Sequence, residues 1–140
     1  MKPEIKKRWI EALRSAQYTK ARGRLCVIDN FNDVARVGQA QKAVCRFCAL
    51  GVLCDLAAKD NVVSWVETTT YSMAIPEEIN GFKTLQATAL PLPVMLWAGL
   101  ESEDPLIEDL EGYPASITEL NDGKLLPFAD IADCIERSNI

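Results

Sequence analysis

The 140-residue sequence predicts an α+β fold: a single small domain over residues 1–140, with helical N- and C-terminal ends packed on a small, mostly antiparallel sheet and one buried central helix. Three observations carry this. Apolar residues recur at helical spacing near both ends. A helix-length apolar segment occupies the middle. Between them lie runs of Val, Trp, Thr and Tyr, which favour strands.

At the N-terminal end, Pro3 suits a first helical turn. Ile5, Trp9, Ala12, Leu13 and Ala16 then form one apolar stripe, with Lys6, Lys7, Arg8, Glu11 and Arg14 on the opposite face. This helix is expected to end near residues 15–18. Residues 19–24 read as a basic loop with Gly23 as its turn point, 25–28 as a short strand, and the Asn/Asp-rich 29–38 as a loop or an irregular hairpin.

The central helix is expected to start at Cys45 or Phe47 and run to Lys59, apolar around its whole circumference and therefore buried. Gly51 in its interior costs roughly 1 kcal/mol relative to Ala, which a closely packed neighbour would explain. Residues 62–74 read as one or two strands and Asn80-Gly81 as a turn. Residues 94–100 read as a short helical turn ended by Gly99, and 101–104 as an acidic loop. Residues 106–117 suggest a small hairpin around Glu111-Gly112. Ser116-Ile-Thr-Glu119 matches a capping box, and Asn121-Asp122-Gly123 would end the short helix that follows. Pro127 opens a last helix with Phe128, Ile131, Ala132 and Ile135 on one face.

The net charge of −5 conceals a division. Residues 1–46 carry 11 Lys/Arg against 4 Asp/Glu, and residues 47–140 carry 4 against 16. The plain expectation is that the two parts fold against each other. No run approaches the ~18 apolar residues of a membrane span. The N-terminus has no apolar core of a signal peptide, so no membrane association is expected and the bacterial cytoplasm is the expected location.

The chain has no histidine, which removes Ser-His and Cys-His nucleophile pairs and His-containing metal sites. Five cysteines, an odd number, argue against a disulfide framework. Cys45-Arg-Phe-Cys48 has C-x-x-C spacing. Zinc would need Cys54 and a distant Cys26 or Cys134 as well, so buried apolar cysteines are the preferred reading and no metal or cofactor is expected. No phosphate-cradling glycine motif is present. The segment 116–135 looks like the start of a helix-turn-helix. It is acidic and lacks room for a recognition helix, so direct DNA binding is not expected.

Two groups of candidate site residues remain. Arg22 and Arg24, on a Gly-containing loop, can clasp a phosphate or carboxylate, and Trp65, Tyr71 and Trp97 can stack on a base, giving a nucleotide site. Glu101, Glu103, Asp104 and Glu108 form an acidic region suited to a partner protein, in the manner of a nucleic-acid mimic.

Several blocks occur in a characteristic order: Trp9-x-x-Ala12-Leu13-Arg14-Ser15; Phe47-Cys-Ala-Leu-Gly-Val-Leu-Cys-Asp-Leu56; Leu92-Pro93-x-x-x-Trp97-Ala98-Gly99-Leu100; and Leu120-Asn-Asp-Gly123 with Phe128-x-x-Ile131-Ala132-x-x-Ile135-Glu136. Together they resemble small bacteriophage and prophage proteins of uncharacterised function, over nearly the whole chain. The cysteine-containing block is the most specific, and the sequence departs from the pattern between residues 29 and 44. The resemblance implies a phage-type accessory protein.

The expected function is therefore binding, with contact to a host protein antagonising a defence or regulatory process. The alternatives are sequestration of a nucleotide signal, a homo-oligomeric regulator paired through the first and last helices, and a small metal-dependent enzyme using carboxylates such as Asp122, Asp130 and Asp133.

Overall fold

The computed structural model describes residues 1–29, 44–68, 73–78 and 88–140. Helix α1 (Pro3–Arg14) begins with its proline in the first turn and buries Ile5, Trp9, Ile10 and Leu13. It stops at Ser15, whose hydroxyl donates to the Ala12 carbonyl at 2.7 Å, and Ala16 then takes a left-handed φ of 55°.

Five strands follow: β1 (Thr19–Lys20), β2 (Cys26–Asp29), β3 (Val44–Phe47), β4 (Val63–Thr68) and β5 (Met73–Glu78). They lie in the order β1-β3-β2-β5-β4. Every pairing is antiparallel except β1 with β3. The α+β expectation thus holds, with a sheet that is mostly antiparallel. Pro76 stands opposite Trp65, beyond the short stretch where β2 also pairs β5, so its missing N–H interrupts no ladder on that side.

The central helix starts later than its apolar content suggests. Residues 44–47 are strand β3, held between β1 and β2, and helix α2 runs Ala49–Lys59. Cys48 makes the change of direction. Its backbone is extended (ψ 173°), and its thiol accepts the Gly51 N–H at 3.4 Å. α2 is buried from Ala49 through Cys54 and again at Leu56 and Ala57. The neighbour expected at Gly51 is the main chain leading into β2: a β-carbon there would stand 1.7 Å from the Leu25 carbonyl oxygen.

After the strands come helix α3 (Leu92–Ala98), ended by Gly99 at φ 69°, and the hairpin β6 (Leu106–Glu108) and β7 (Pro114–Ser116). A single π-turn, Glu119–Gly123, leads to helix α4 (Phe128–Arg137). The Ser116 hydroxyl accepts the Glu119 N–H at 3.2 Å, which is the backbone half of the expected capping box. The expected turn at Asn80-Gly81 lies outside the described residues, as does the loop expected over 29–38 except for Asp29, which is the last residue of β2.

α1 packs on α4 and α2. The two terminal stripes therefore cover each other inside one chain, and the dimer pairing suggested for them has no apolar stripe left to use. Trp9, fully buried, donates its indole N–H to the Ala49 carbonyl at 3.0 Å. The basic and acidic parts also meet: Arg8 forks onto Asp60 at 2.8 and 2.9 Å, and Arg14 reaches Asp133 and Glu136.

Asn121 ties three segments together. Its side chain accepts the Ala49 N–H at 3.2 Å, donates to the Ala21 carbonyl at 3.0 Å and donates to Asp122 at 2.6 Å. The residue read as a helix stop is a buried clasp between the π-turn, the β1–β2 loop and the start of α2.

Candidate functional site

The basic loop between β1 and β2 is docked onto the chain's own acidic part. Gly23, at φ 70°, donates its N–H to the Asp122 carboxylate at 2.9 Å. Arg22 reaches the Asp122 carbonyl at 3.4 Å, and Lys20 donates to the Leu126 carbonyl. Arg24 borders a recess of about 120 Å³ with Thr88, Thr118, Asn121 and Asp122, and no aromatic ring lines it among the described residues.

The candidate stacking residues stand elsewhere. Trp65 donates to Asp55 at 3.2 Å and leans on Phe47 at 5.7 Å. Trp97, on α3, carries the Arg8 guanidinium 5.8 Å above its ring. Tyr71 lies outside the described residues. The structure thus does not gather Arg22 and Arg24 with Trp65 and Trp97.

Trp65 belongs instead to a network that the sequence did not announce. Asp55 accepts from Trp65 and from the Tyr18 hydroxyl (2.6 Å), while Lys59 lies 3.0 Å from Asp55 and 2.8 Å from the Tyr18 oxygen. Desolvation, then the neighbouring carboxylate, raises the Tyr18 pKa, so the phenol stays protonated as the donor.

The acidic residues have a different setting. Two grooves, of about 460 and 340 Å³, share Leu106, Asn139 and Ile140 in their walls. Leu106 is 66 % exposed, one of six large apolar side chains open to solvent among the described residues. Glu108 lines the larger groove and Glu101 the smaller. Both are exposed and form no ion pair among the described residues. Glu103 is exposed on the same loop, and its carbonyl accepts from Leu90 at 3.0 Å. Asp104 turns inward, where its carboxylate accepts the Thr118 N–H at 3.0 Å. It braces the loop, so the outward-facing acids of the set are Glu101, Glu103 and Glu108.

Asp109 holds the hairpin in shape. Only 3 % exposed, it accepts the N–H groups of Glu111 (2.9 Å) and Tyr113 (2.8 Å) on one oxygen and pairs with Lys124 on the other. The Lys124 hydrogen bond, then the Tyr113 N–H, pulls its pKa down to about 2. The Asp-x-x-Gly spacing from Asp109 to Gly112 is a turn signal that could have marked this residue in the sequence.

A family described as Domain of unknown function (DUF8296) matches residues 1–139. The chain belongs to this family. No curated protein and no solved structure matches it at a significant level.

Burial pushes the Cys48 thiol up to about 11 and the Cys54 thiol well above its ordinary value, so neither supplies a thiolate at neutral pH. Cys45 is exposed while Cys48 is buried, which separates the two ends of the C-x-x-C. Among the described residues no group of three or more Cys, Asp or Glu side chains could hold a metal ion. Of the carboxylates considered for metal chemistry, Asp122 receives Gly23 and Asn121, and Asp133 pairs with Arg14. Among the described residues no helix is long and apolar enough to cross a membrane.

Proposed function

We propose that the protein acts by binding, and that the double groove centred on Leu106 receives a basic segment of a protein partner. The observation that carries this reading is a largely exposed leucine at the junction of two grooves, with Glu101 and Glu108 on either side of it. An apolar centre with a charged rim is the usual composition of a protein contact. The rim acids select a basic partner and speed its approach. The likeness to phage proteins supports a bacterial host protein as the partner, met in the cytoplasm, and antagonism of a defence or regulatory process as the result of binding.

The test uses untagged protein and its Glu101→Lys/Glu108→Lys variant, with native mass spectrometry of complexes formed in host extract. The expected result is a stoichiometric partner whose affinity falls by roughly tenfold or more in the variant, and falls with added salt. Both changes lie on exposed side chains, so the melting temperature should hold. A partner bound equally by both forms would overturn the reading.

A further inference from the structure

The hairpin beside this groove has one open edge, and its hydrogen-bond parity shows which groups lie along it. Asp109 donates to the Tyr113 carbonyl at 2.8 Å, and Ile117 donates to the Pro105 carbonyl at 3.2 Å. In an antiparallel ladder, bonded and non-bonded pairs alternate. The pairs 105/117, 107/115 and 109/113 are therefore the bonded ones, and Leu106/Ser116 and Glu108/Pro114 are not. Pro114, with no N–H to give, occupies a position that needs none.

It follows that the main-chain N–H and C=O groups of Leu106 and Glu108 point away from β7. Leu106 and Glu108 also line the larger groove, together with Gly112 and Pro114 of the hairpin and Cys134, Arg137 and Ile140 from the end of α4 and beyond. Among the described residues nothing hydrogen-bonds to those outward groups. The hairpin's two edges are unequal. The β7 edge turns Pro114 outward and so lacks a donor there, which is a common way to block strand pairing. The β6 edge carries no such block.

We infer that β6 captures its partner by strand addition: an extended, basic segment of the partner protein pairs with the outward main-chain groups of Leu106 and Glu108 alongside the groove. This rests on the binding reading above and specifies its mode. Main-chain bonds would supply affinity and the flanking side chains selectivity. A strand laid on β6 presents alternate side chains to the face that carries Leu106 and Glu108. An apolar residue fits beside Leu106 and a Lys or Arg beside Glu108 and Glu101. A second copy of this chain is a poor occupant, since it would bring Glu101, Glu103 and Glu108 of both copies together in a molecule of net charge −5.

The probe is a random linear peptide library selected on the untagged protein. Three readings follow on the selected peptides: N-methylation of each peptide amide in turn, hydrogen exchange at the Leu106 and Glu108 amides, and binding to Leu106→Pro against Leu106→Ala. The expected result is peptides alternating basic and apolar residues that lose roughly tenfold in affinity when alternate amides are methylated. Those peptides should slow exchange at Leu106 and Glu108. Leu106→Pro removes the outward donor and no ladder donor, so it should bind more weakly than Leu106→Ala. Should the proline variant fail to fold, the methylation and exchange readings decide. Basic peptides that are indifferent to methylation and leave both amides exchanging freely would overturn strand addition while leaving the groove as a binding surface. A library that yields no peptide sensitive to Glu101→Lys/Glu108→Lys would overturn both.

Discussion

Replacing Gly51 by alanine sets two physical effects against each other with opposite signs. In an isolated helix the change is favourable by roughly 1 kcal/mol. Here the added carbon would stand 1.7 Å from the Leu25 carbonyl oxygen and 2.7 Å from its carbon. Ordinary carbon–oxygen contacts are about 3.3–3.6 Å, so α2 and the entry to β2 must part by about 1.5 Å or more. Leu25 is fully buried, and its carbonyl accepts the Cys48 N–H at 3.3 Å. Parting them leaves buried polar groups without partners, at roughly 1–3 kcal/mol, and strains the surrounding core by a similar roughly 1–3 kcal/mol. After the helix gain is subtracted, the net loss is about 3 kcal/mol. In urea unfolding followed by tryptophan fluorescence, a slope of roughly 1–3 kcal/mol per molar turns this into a midpoint lower by about 1–3 M, with the slope unchanged. A Gly51→Ala protein as stable as the parent, or more so, would refute the close approach and with it the seating of α2 on the sheet.

Asn121→Ala should cost about 2–5 kcal/mol in the same assay, because the Ala49 N–H and Ala21 carbonyl lose their buried partner together. Iodoacetamide should label Cys45 alone in the native protein, and Cys26, Cys48, Cys54 and Cys134 only after unfolding, as read by mass spectrometry of peptides. The low pKa of Asp109 gives a defined acid dependence. Its folded value of about 2 lies below its ordinary carboxylate value, so the stability it contributes is complete above about pH 4 and is lost as pH falls toward 2. The urea midpoint should therefore drop over that window in the parent and drop less in Asp109→Asn; equal curves would refute the assignment.

The parts of the fold that the sequence made legible are those with a long, regular signal. α1 and α4 each repeat an apolar side chain over several turns, and the hairpin has Gly112 at its bend. β3 was missed because its four residues run straight into an apolar helix, and cysteine is not among the usual capping residues that mark such a boundary. Asn121 was read as a stop because asparagine commonly ends helices, and nothing local reveals that its amide reaches residues 49 and 21. The acids at 101 and 108 were visible as charge. Their convergence on Leu106 was not, because it depends on where the last residues of α4 come to rest. The open β6 edge depends on ladder parity, a property of two strands that neither shows alone.

The proximity of the two ends of the sequence has a practical consequence. Met1 and Ile140 line the same groove, and the Lys2 N–H donates to the Ala98 carbonyl at 2.8 Å. A purification tag or fluorescent fusion joined at residue 1 or residue 140 would sit at the mouth of the surface assigned to the partner, and would silence the interaction it was meant to report. The same geometry suits circular permutation: a short linker can join residue 140 to residue 1, and new termini can open at the exposed turn of Asp60 and Asn61. A permuted protein would carry its handle away from the groove.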